Sequence, residues 1–467
     1  MRIAFLNPQG NFDSADSNWT MHPDFGGQLV YVKELAIALA DKGHKVDIIT
    51  RAYKDDKYPA FYHKFDYYPE SVGVRIVRIP CGGDAFLRKE DLWPHLIEWT
   101  ENIKVFFRKE KYVPDFIAGH YADGGISAAI LAKALKIPFS FTAHSLGAQK
   151  MDKLLAKGAK KDALETEYHF SERIEAERTS IKYADVIFVS TLQEKDEQYH
   201  HILYEDATKK NQNSFVIAPP GANTRVFSDK ETPDDIVFFK HFSSIESRDI
   251  DKDRINLSYL VMASRLDAKK NHIGVLKAYA SDKELQAKSN LAISLRGIPD
   301  AFEDYSSASI SEREILDSIM DVINENDLRG KVLLISIDSQ KELASFYRFA
   351  AKKSSLFVLA SLYEPFGLAP IEAMCTGLAA VVTKNGGPSS IMEEDNARYG
   401  ILVDPVNSQS IAKGCLEALN NYEYFRKAGK NRVLEKYTWR VTADKYLYGF
   451  NIAKAKEIHP IAVSKNN

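Results

Sequence analysis

The chain has 467 residues, of which 45% are hydrophobic and 27% are charged, a composition typical of a globular protein with room for more than one domain. Its net charge of −2 excludes a general electrostatic preference for nucleic acid or for an anionic membrane, so we expect neither as a partner. No apolar stretch reaches the ~18–20 residues that span a bilayer, and the chain opens on a strand-like segment rather than a signal peptide, so we expect a cytoplasmic protein. The three cysteines lie far apart in sequence and predict neither a disulfide framework nor a metal site.

Strand-like and helix-like segments alternate along both halves of the chain. Short strands rich in Val, Ile and Leu are predicted near 2–7, 45–50, 74–79, 115–120, 138–142, 185–190, 214–218, 258–264, 290–296, 331–335, 355–359, 379–383 and 400–403. This pattern predicts an α/β protein whose parallel sheets are covered on both faces and bind ligands beyond the carboxyl ends of the strands. The polar stretch 228–255 shows no clear strand, so we place the domain boundary at its end. The predicted domains are 1–255 and 256–438, and the segment after Trp439 looks helical.

An unusually long loop follows the first strand. About twenty residues separate Asn7 from the helix predicted to begin near Gly27, whereas such connections usually take two to six. Gly26 and Gly27 stand where the loop meets the helix, where glycine lets the backbone approach a ligand and the helix N-terminus favours negative charge. Gln28 offers an amide in the first turn. By itself, a Gly-Gly pair is more often only a turn.

Three cations stand near strand ends in the first half. Lys89 lies in the segment 85–94, Lys150 in the strand-to-helix segment 142–150, and Arg173 in a helical segment rich in Glu. A phosphate dianion needs several converging donors, and Arg and Lys supply charge-assisted hydrogen bonds. Taken singly, each is more often a surface cation, and Arg173 could equally pair with a helical Glu four residues away.

Two polar side chains stand in strand-to-helix turns of the same half. His144 follows the strand near 138–142 and is either a satisfied histidine or a hydrogen-bonding partner of a sugar. Asp123, in the motif His-Tyr-Ala-Asp-Gly-Gly with Tyr121, either shapes a ligand site or caps a helix beginning at Gly125.

Arg265 and Lys270 follow the first strand of the second half, five residues apart across a short turn. Fixed cations at this place could stabilise negative charge on a bound anion. No Asp-x-Asp pair stands at a strand end near these motifs, so we expect no obligatory metal and no other cofactor. The alternative is a solvated turn.

Residues 361–374, Ser-Leu-Tyr-Glu-Pro-Phe-Gly-Leu-Ala-Pro-Ile-Glu-Ala-Met, form the most informative segment. The buried strand 355–359 precedes it, so Glu364 is expected on the strand-to-helix loop and Glu372 about one turn into the helix. Backbone N–H groups at the helix start can meet an anion or a sugar hydroxyl. Alone, the two carboxylates could be a cap and a solvent-facing side chain.

Segment 361–374 resembles the paired-glutamate motif of retaining nucleotide-sugar glycosyltransferases of family four. The loop before Gly27 and the motifs at 85–94, 120–125, 142–150 and 172–178 resemble those of sucrose-phosphate synthases. The resemblance implies the GT-B fold, with two Rossmann-like doubly wound domains facing an interdomain cleft and the segment 439–467 crossing back onto the first domain. It implies a retaining transfer of glucose from UDP-glucose to fructose 6-phosphate, giving sucrose 6-phosphate and UDP, by same-face substitution. Since no phosphatase-like segment follows the second domain, a separate sucrose-phosphate phosphatase is expected.

The resemblance also assigns roles to individual residues. It implies a catalytic set of His144, Arg265, Lys270 and Glu364. It implies a donor-binding set of Gly27, Arg265, Lys270, Phe366, Gly367, Leu368 and Glu372. It implies an acceptor-binding set of Gly26, Gln28, Lys89, Tyr121, Asp123, Lys150 and Arg173, in which the three cations bind the phosphate. In one departure, Glu172 stands where many relatives carry a second basic residue.

Three functions remain open at this point. The first is sucrose-phosphate synthesis. The second is a sister transferase, either a mannosylfructose-phosphate synthase or a sucrose synthase that uses unphosphorylated fructose. The third is a non-catalytic sugar-phosphate sensor on the same fold, against which the joint presence of Arg265, Lys270, Glu364 and Glu372 argues. The choice among UDP, ADP and GDP donors is also open.

Overall fold

The computed structural model describes residues 1–15, 27–56 and 58–455, which form two compact units. Unit 1 comprises Met1–Pro219 and the segment that begins at Trp439, and unit 2 comprises Pro220–Thr438. Each unit is built on its own parallel sheet. Among the described residues, no helix combines the length and the apolar character needed to cross a bilayer.

The sheet of unit 1 has eight strands in the order β3-β4-β2-β1-β5-β6-β7-β8. They are β1 (Arg2–Leu6), β2 (Lys45–Ala52), β3 (Phe65–Tyr67), β4 (Val74–Pro80), β5 (Phe116–His120), β6 (Phe139–Thr142), β7 (Val186–Val189) and β8 (Phe215–Ile217). All neighbours pair in parallel except β3, which pairs antiparallel with β4 at the edge. The sequence predicts every strand but β3, which has only three residues and is not buried.

Helices cover both faces of this sheet. They are α1 (Gly27–Asp41), α2 (Leu96–Lys109), α3 (Tyr121–Leu135), α4 (Gly147–Leu155), α5 (Lys161–Tyr168), α6 (Phe170–Tyr183) and α7 (Glu205–Lys210). One core includes α1 and the face of β1 that carries Phe5, and the other includes α2, α3 and the face that carries Leu6. Alternate side chains of β1 thus enter different cores, because successive residues of a strand point to opposite faces of the sheet.

Unit 2 carries a six-stranded parallel sheet in the order β11-β10-β9-β12-β13-β16. Its strands are β9 (Ser258–Met262), β10 (Ser289–Leu295), β11 (Val332–Ser336), β12 (Leu356–Leu359), β13 (Ala379–Thr383) and β16 (Ile401–Val403). The two-residue strands β14 (Glu393–Glu394) and β15 (Ala397–Arg398) form a separate antiparallel hairpin. The six sheet strands are those that the sequence predicts, and only the hairpin goes unpredicted.

The helices of unit 2 also pack on both faces of its sheet. They are α8 (Pro233–Asp249), α9 (His272–Ser281), α10 (Lys283–Lys288), α11 (Ile310–Glu325), α12 (Gln340–Lys352), α13 (Leu368–Cys375), α14 (Pro388–Met392), α15 (Ser408–Asn420) and α16 (Tyr422–Lys436).

The division between the units lies at Pro219, not at residue 255 as the sequence analysis places it. The reason is α8, which packs on α12 of unit 2. Nη2 of Arg348 lies 2.6 Å from Oδ1 of Asp235, and the rings of Phe242 and Phe349 have centroids 4.1 Å apart. The polar segment 228–255 therefore contains a helix of the second unit, α8, and does not form the end of the first unit.

The last helix, α17 (Trp439–Ala455), packs on unit 1. The ring of Tyr446 stacks on Phe188 with centroids 3.7 Å apart, and Phe450 packs on Phe116 at 4.1 Å. The hydroxyl of Tyr446 hydrogen-bonds to Thr142 at the end of β6. The chain thus returns to unit 1 at Trp439, where the crossing segment is predicted to begin.

Candidate active site

Arg173 is the centre of a polar cluster in unit 1. The side chain is only 5% exposed on α6, with its guanidinium 4.6 Å from the ring centroid of Tyr121. Its Nε donates to Oε1 of Glu177 at 2.9 Å, and its Nη2 donates to the carbonyl oxygen and the hydroxyl of Ser145. The pair with a Glu four residues away is the alternative that the sequence left open, and it fixes the guanidinium beside the turn that carries His144.

Glu177 binds three members of this cluster through hydrogen bonds and an ion pair. This fully buried carboxylate accepts hydrogen bonds from the backbone N–H of Gly147 at 3.0 Å and from the hydroxyl of Tyr204, besides its ion pair with Arg173. Burial acts to lower the pKa of Arg173, but Glu177, Tyr121 and Tyr204 together outweigh burial and the pKa is raised. Arg173 is therefore a permanently charged group in a buried position, and its Nη1 has no hydrogen bond among the described residues.

Asp123 is buried in the first turn of α3. Its Oδ1 accepts from the backbone N–H of Gly124 at 2.6 Å, whereas its Oδ2 is buried with no partner in the described part of the chain. Burial raises the pKa of Asp123 to about 7, although Gly124, Arg173 and Lys89 each act to lower it. Of the two alternatives for Asp123, the cap of a helix beginning at Gly125 does not apply, because α3 begins at Tyr121.

Lys89 and Lys150 lie on separate elements around this cluster. Lys89 begins a short 3-10 helix, Lys89–Asp91, close enough to Asp123 to act on its pKa. Lys150, on α4, places its Nζ 3.9 Å from the ring centroid of Tyr168. The structure thus brings Lys89, Arg173 and Asp123 together, and it holds Lys150 on an aromatic ring one helical turn beyond the loop of Ser145.

His144 adopts a left-handed backbone with φ of 58°, and so does Tyr121 with φ of 65°. A non-glycine residue in this region is strained and persists only where the surrounding structure imposes it. Both lie in strand-to-helix turns, at the end of β6 and of β5. Nε2 of His144 contacts Nδ1 of His120 at 3.0 Å, and burial lowers the pKa of His144 to about 3.

The loop that precedes α1 is described only in part. Gly26 lies outside the described residues. Gly27 is the exposed first residue of α1, and Gln28 follows with a buried Nε2 that has no partner among the described residues. At the end of β1, the fully buried Asn7 likewise has no described partner for either side-chain atom. Buried amides usually have a hydrogen-bond partner, so both side chains are candidates for contact with a ligand.

In unit 2, Lys270 and Glu364 form an ion pair. Nζ of Lys270 lies 2.7 Å from Oε2 of Glu364, with both side chains largely buried, at 24% and 12% exposure. Asn271 fixes the loop, since its Nδ2 donates to the carbonyl oxygens of Ala360 and Pro405. The short turn after β9 is thereby tied to the end of β12, and this is why residues from two separate motifs meet.

Arg265 lies exposed at the same edge of the sheet as this pair, after β9. It makes no ion pair within the part of the chain that the structure describes, so its charge is available to an anionic ligand. Lys269, by contrast, is an exposed lysine whose carbonyl oxygen accepts from the backbone N–H of Leu362.

Glu364 and Glu372 take the places that the sequence predicts. Glu364 lies in the loop after β12, and Glu372 is a half-buried residue one turn into α13. Gly367 precedes the helix with φ of 111°, which favours glycine. Phe366 and Leu368 flank it, buried and half-buried.

A loop after β13 that contains Gly386 and Gly387 packs directly against Glu364. A Cβ added at Gly386 would come within 2.1 Å of the carbonyl oxygen of Glu364, and the backbone N–H of Gly387 donates to that same oxygen at 3.0 Å. These glycines therefore serve close backbone packing that fixes the loop of Glu364.

Sequence reasoning missed the residues that hold the others in place. Glu177 and Asn271 fix two site cations, and His120 contacts His144. Only Glu177 left a signal, the four-residue spacing from Arg173. Groups of three or more His, Cys, Asp or Glu side chains placed to hold a metal ion are absent from the described residues.

Comparison with known proteins assigns both halves of the chain to glycosyltransferase families. Residues 1–233 match the family described as the first GT-B domain of sucrose synthase, and residues 246–432 match Glycosyl transferases group 1. A probable sucrose-phosphate synthase of Thermosipho melanesiensis is 46% identical over 96% of both chains. Sucrose-phosphate synthase 4 of Arabidopsis thaliana is 31% identical over 94% of this chain, which spans 46% of that longer relative.

Solved structures share the fold over nearly the whole chain. A sucrose-phosphate synthase from Thermosynechococcus elongatus superposes with a TM-score of 0.66 at 22% identity, covering 97% of this chain and 100% of its own. An Anabaena protein solved in complex with UDP gives a TM-score of 0.62 at 13% identity, with 97% and 100% covered. At these identities, the likeness shows the GT-B fold alone.

Proposed function

From the premise that this chain belongs to the sucrose-phosphate synthases and is a hexosyltransferase with the GT-B fold, we propose that its donor is UDP-glucose and its acceptor fructose 6-phosphate. The products would be UDP and sucrose 6-phosphate, with the anomeric configuration of glucose retained. The coarser function, the making of a sucrose phosphate by glycosyl transfer, follows from the family itself.

The observation that carries the acceptor assignment is the setting of Arg173. Its guanidinium is buried, charged and fixed by Glu177, with Nη1 left for a ligand beside Asp123. A phosphate ester would be recognised by Arg173 together with Lys89 and Lys150, and the sugar hydroxyls by the unpartnered Oδ2 of Asp123. Unphosphorylated fructose would offer no anionic acceptor to Nη1 of Arg173, so the cluster favours a sugar phosphate.

Glu172 does not oppose this assignment. The chain places it one residue before Arg173 on α6, so the two side chains leave the helix in different directions. Glu172 is exposed and lies 3.9 Å from Nδ1 of His169. Its charge is screened by solvent, whereas that of Arg173 is buried.

On the donor side, Arg265 and Lys270 would neutralise the diphosphate as the glycosidic bond breaks. Negative charge grows on the leaving group, so fixed cations stabilise the transition state more than the ground state. Glu372 would accept hydrogen bonds from the ribose hydroxyls, and Phe366, Gly367 and Leu368 would present the start of α13 to the donor. The Anabaena neighbour's complex with UDP supports a uridine nucleotide on this fold.

The pair of Lys270 and Glu364 supports same-face substitution. A retaining reaction through a covalent intermediate needs a carboxylate nucleophile close to the anomeric carbon. The ammonium of Lys270, at 2.7 Å, reduces the nucleophilicity of Glu364 and suits it for holding sugar hydroxyls instead. In same-face substitution the leaving phosphate takes the acceptor proton, and His144 contributes a hydrogen bond to the transferred sugar.

The test is a matrix of donors and acceptors with product analysis. UDP-glucose, ADP-glucose, GDP-glucose and GDP-mannose are each offered fructose 6-phosphate or fructose, with and without EDTA, and the disaccharide is identified by NMR. We expect sucrose 6-phosphate from UDP-glucose, in equal yield after chelation because the cations replace a metal. Three results would reject the proposal. A mannosyl product would indicate a mannosylfructose-phosphate synthase, and sucrose from free fructose would indicate a sucrose synthase. Binding without turnover would indicate a non-catalytic sensor.

A sucrose 6-phosphate product also implies a partner in metabolism. Release of free sucrose would then require a separate phosphatase acting on the ester. Sucrose formed directly from the purified chain and fructose 6-phosphate would contradict this expectation.

A further inference from the structure

Two histidines meet at neighbouring strand ends of unit 1. His120 ends β5 and His144 follows β6, and the strands are in register with His120 beside Thr142. Nδ1 of His120 lies 3.0 Å from Nε2 of His144, and the rings are stacked with centroids 5.2 Å apart. His120 is fully buried, and it belongs to none of the sets that the sequence or the family resemblance assigned.

The surroundings of the two rings keep both of them neutral. Phe5 packs on His120 with centroids 4.8 Å apart, and Tyr31 meets His144 edge-on at 4.9 Å. The hydroxyl of Tyr31 is engaged with the carbonyl oxygen of Ala218 and the hydroxyl of Tyr446, so it does not serve the imidazoles. Burial lowers the pKa of both histidines, and the neighbouring His144 lowers the pKa of His120 further.

A hydrogen bond between two neutral imidazoles has one donor and one acceptor, so it fixes the tautomer of both rings. If His144 donated from Nε2, His120 would have to carry its own proton on Nε2. That atom is buried and has no hydrogen-bond partner among the described residues. A buried N–H without an acceptor is rarer than a buried lone pair without a donor. The unpartnered Nε2 of His120 therefore favours the tautomer in which Nε2 carries no proton and Nδ1 donates to His144.

We propose that His120 is a positioning residue whose Nδ1–H donates to Nε2 of His144 and thereby holds His144 with its own proton on Nδ1. In that tautomer His144 offers a hydrogen-bond donor, not an acceptor, to an oxygen of the bound sugar. It therefore acts as an electrostatic stabiliser and not as a base. The statement about the sugar rests on the proposed function, whereas the tautomer is a property of the free protein.

The tautomer is tested without any substrate. Histidine is labelled with ¹⁵N, and the long-range ¹⁵N–¹H spectrum of the free protein is assigned with His120→Asn and His144→Gln. We expect the His144 ring to be protonated on Nδ1 and bare on Nε2 at neutral pH. Protonation on Nε2, or a charged ring, would overturn the proposal whether or not the protein makes sucrose 6-phosphate.

Kinetics of two His120 variants separate positioning from packing. His120→Asn keeps an N–H near the place of Nδ1, whereas His120→Leu removes the donor but suits the apolar pocket better. We expect His120→Leu to lower kcat about tenfold to a hundredfold with the acceptor KM changed less than about twofold, and His120→Asn to recover most of the loss. The unfolding temperatures of the two variants should rank in the reverse order of their kcat values. His120→Leu should be at least as stable as His120→Asn.

Two results would overturn the positioning role. One is a His120→Leu protein with wild-type kcat, and the other is activity that follows stability across the two variants. If the wild-type protein makes no sucrose 6-phosphate, the proposed function fails, and the kcat comparison is then made with whichever donor and acceptor turn over. The spectrum of His144 decides the tautomer in either case.

Discussion

Nζ of Lys270 lies 2.7 Å from Oε2 of Glu364, although 94 residues separate them in the chain. The contact exists because β9 and β12 are neighbours in the sheet, so the turns at their carboxyl ends meet. It joins the cation expected to hold the leaving diphosphate to the carboxylate expected to hold the sugar. The same ammonium can therefore orient Glu364 and stabilise departing charge.

Replacement of Lys270 by Ala should reduce kcat by about 10²–10³-fold, because a fixed charge at the leaving group is lost. Steady-state kinetics with UDP-glucose and fructose 6-phosphate measure the effect. Lys269→Ala is the matched control, since Lys269 is the exposed neighbour and keeps its backbone contact with Leu362 in the variant. Equal activity of the two variants would refute the role of Lys270.

Replacement of Lys150 by Ala should raise the KM for fructose 6-phosphate about tenfold to a hundredfold, the loss of one charge-assisted hydrogen bond. The KM for UDP-glucose should stay unchanged, because Lys150 is assigned to the phosphate of the acceptor and not to the donor. Lys153→Ala provides a control on an exposed lysine of the same helix, α4. An equal loss with both substrates would place Lys150 elsewhere than at the phosphate.

The sequence predicts the strands of the two sheets well, because each is a short apolar run bounded by polar turns. It misplaces the domain boundary because α8 is rich in charge, and its burial depends on Phe242 and Asp235, whose partners lie on α12 about a hundred residues later. The composition of the segment alone does not show which sheet it joins.

Some contacts of the candidate site can be predicted from the sequence, and others cannot. The spacing of Arg173 and Glu177 on one helix makes their pair visible in the sequence. The contact of His120 with His144 depends on β5 and β6 being neighbours, and the anchoring of Asn271 depends on three separate strand ends. Such contacts follow from topology, which local patterns do not determine. The sequence leaves open whether Asp123 caps a helix or lines a site, because the start of α3 at Tyr121 depends on a left-handed backbone that sequence does not predict.

Replacement of Arg173 by Met should destabilise the protein by about 3–5 kcal/mol, because it leaves the fully buried Glu177 as an unpaired charge. Urea unfolding measures the change. Arg178→Met is the control on the same helix, where the partner Asp206 is exposed and the loss should stay within about 1 kcal/mol. A comparable cost for both variants would show that Glu177 does not depend on its partner.

Asp123 should make stability depend on pH. Its pKa is raised from 3.8 to about 7, so between these values the native state keeps a proton that the unfolded chain releases. Stability from this group is therefore greatest at low pH and is lost as the pH rises towards 7, by about 4 kcal/mol in total. Asp123→Asn, which cannot ionise, should gain stability relative to the wild type over that interval and hold the gain above it.

Urea unfolding of both proteins between pH 5 and pH 8 measures this difference. Asp206→Asn is the control without pH dependence, because Arg178 lowers the pKa of Asp206, which is therefore ionised in both the native and the unfolded state throughout the interval. A wild type that keeps a constant difference from Asp123→Asn across the interval would show that Asp123 is ionised in the native state.

Gly27 offers a separate test of the donor site, because a side chain added there meets none of the described neighbours. A Cβ at this residue meets no described atom within 4 Å, and Gly27 is the first residue of α1. Alanine favours a helix over glycine by up to about 1 kcal/mol, so Gly27→Ala should not lower the unfolding temperature. If the backbone here approaches the donor, as the family resemblance implies, the added methyl should raise the KM for UDP-glucose about tenfold.

Gly43→Ala gives the reverse pattern and completes the comparison. Gly43 follows the other end of α1 with φ of 84°, where a side chain costs about 1–2 kcal/mol. That variant should unfold at lower temperature and keep wild-type KM values for both substrates. Gly27→Ala is expected to lose only affinity for UDP-glucose, and Gly43→Ala is expected to lose only stability. The two effects can therefore be told apart. A Gly27→Ala enzyme with an unchanged KM for UDP-glucose would remove Gly27 from the donor site.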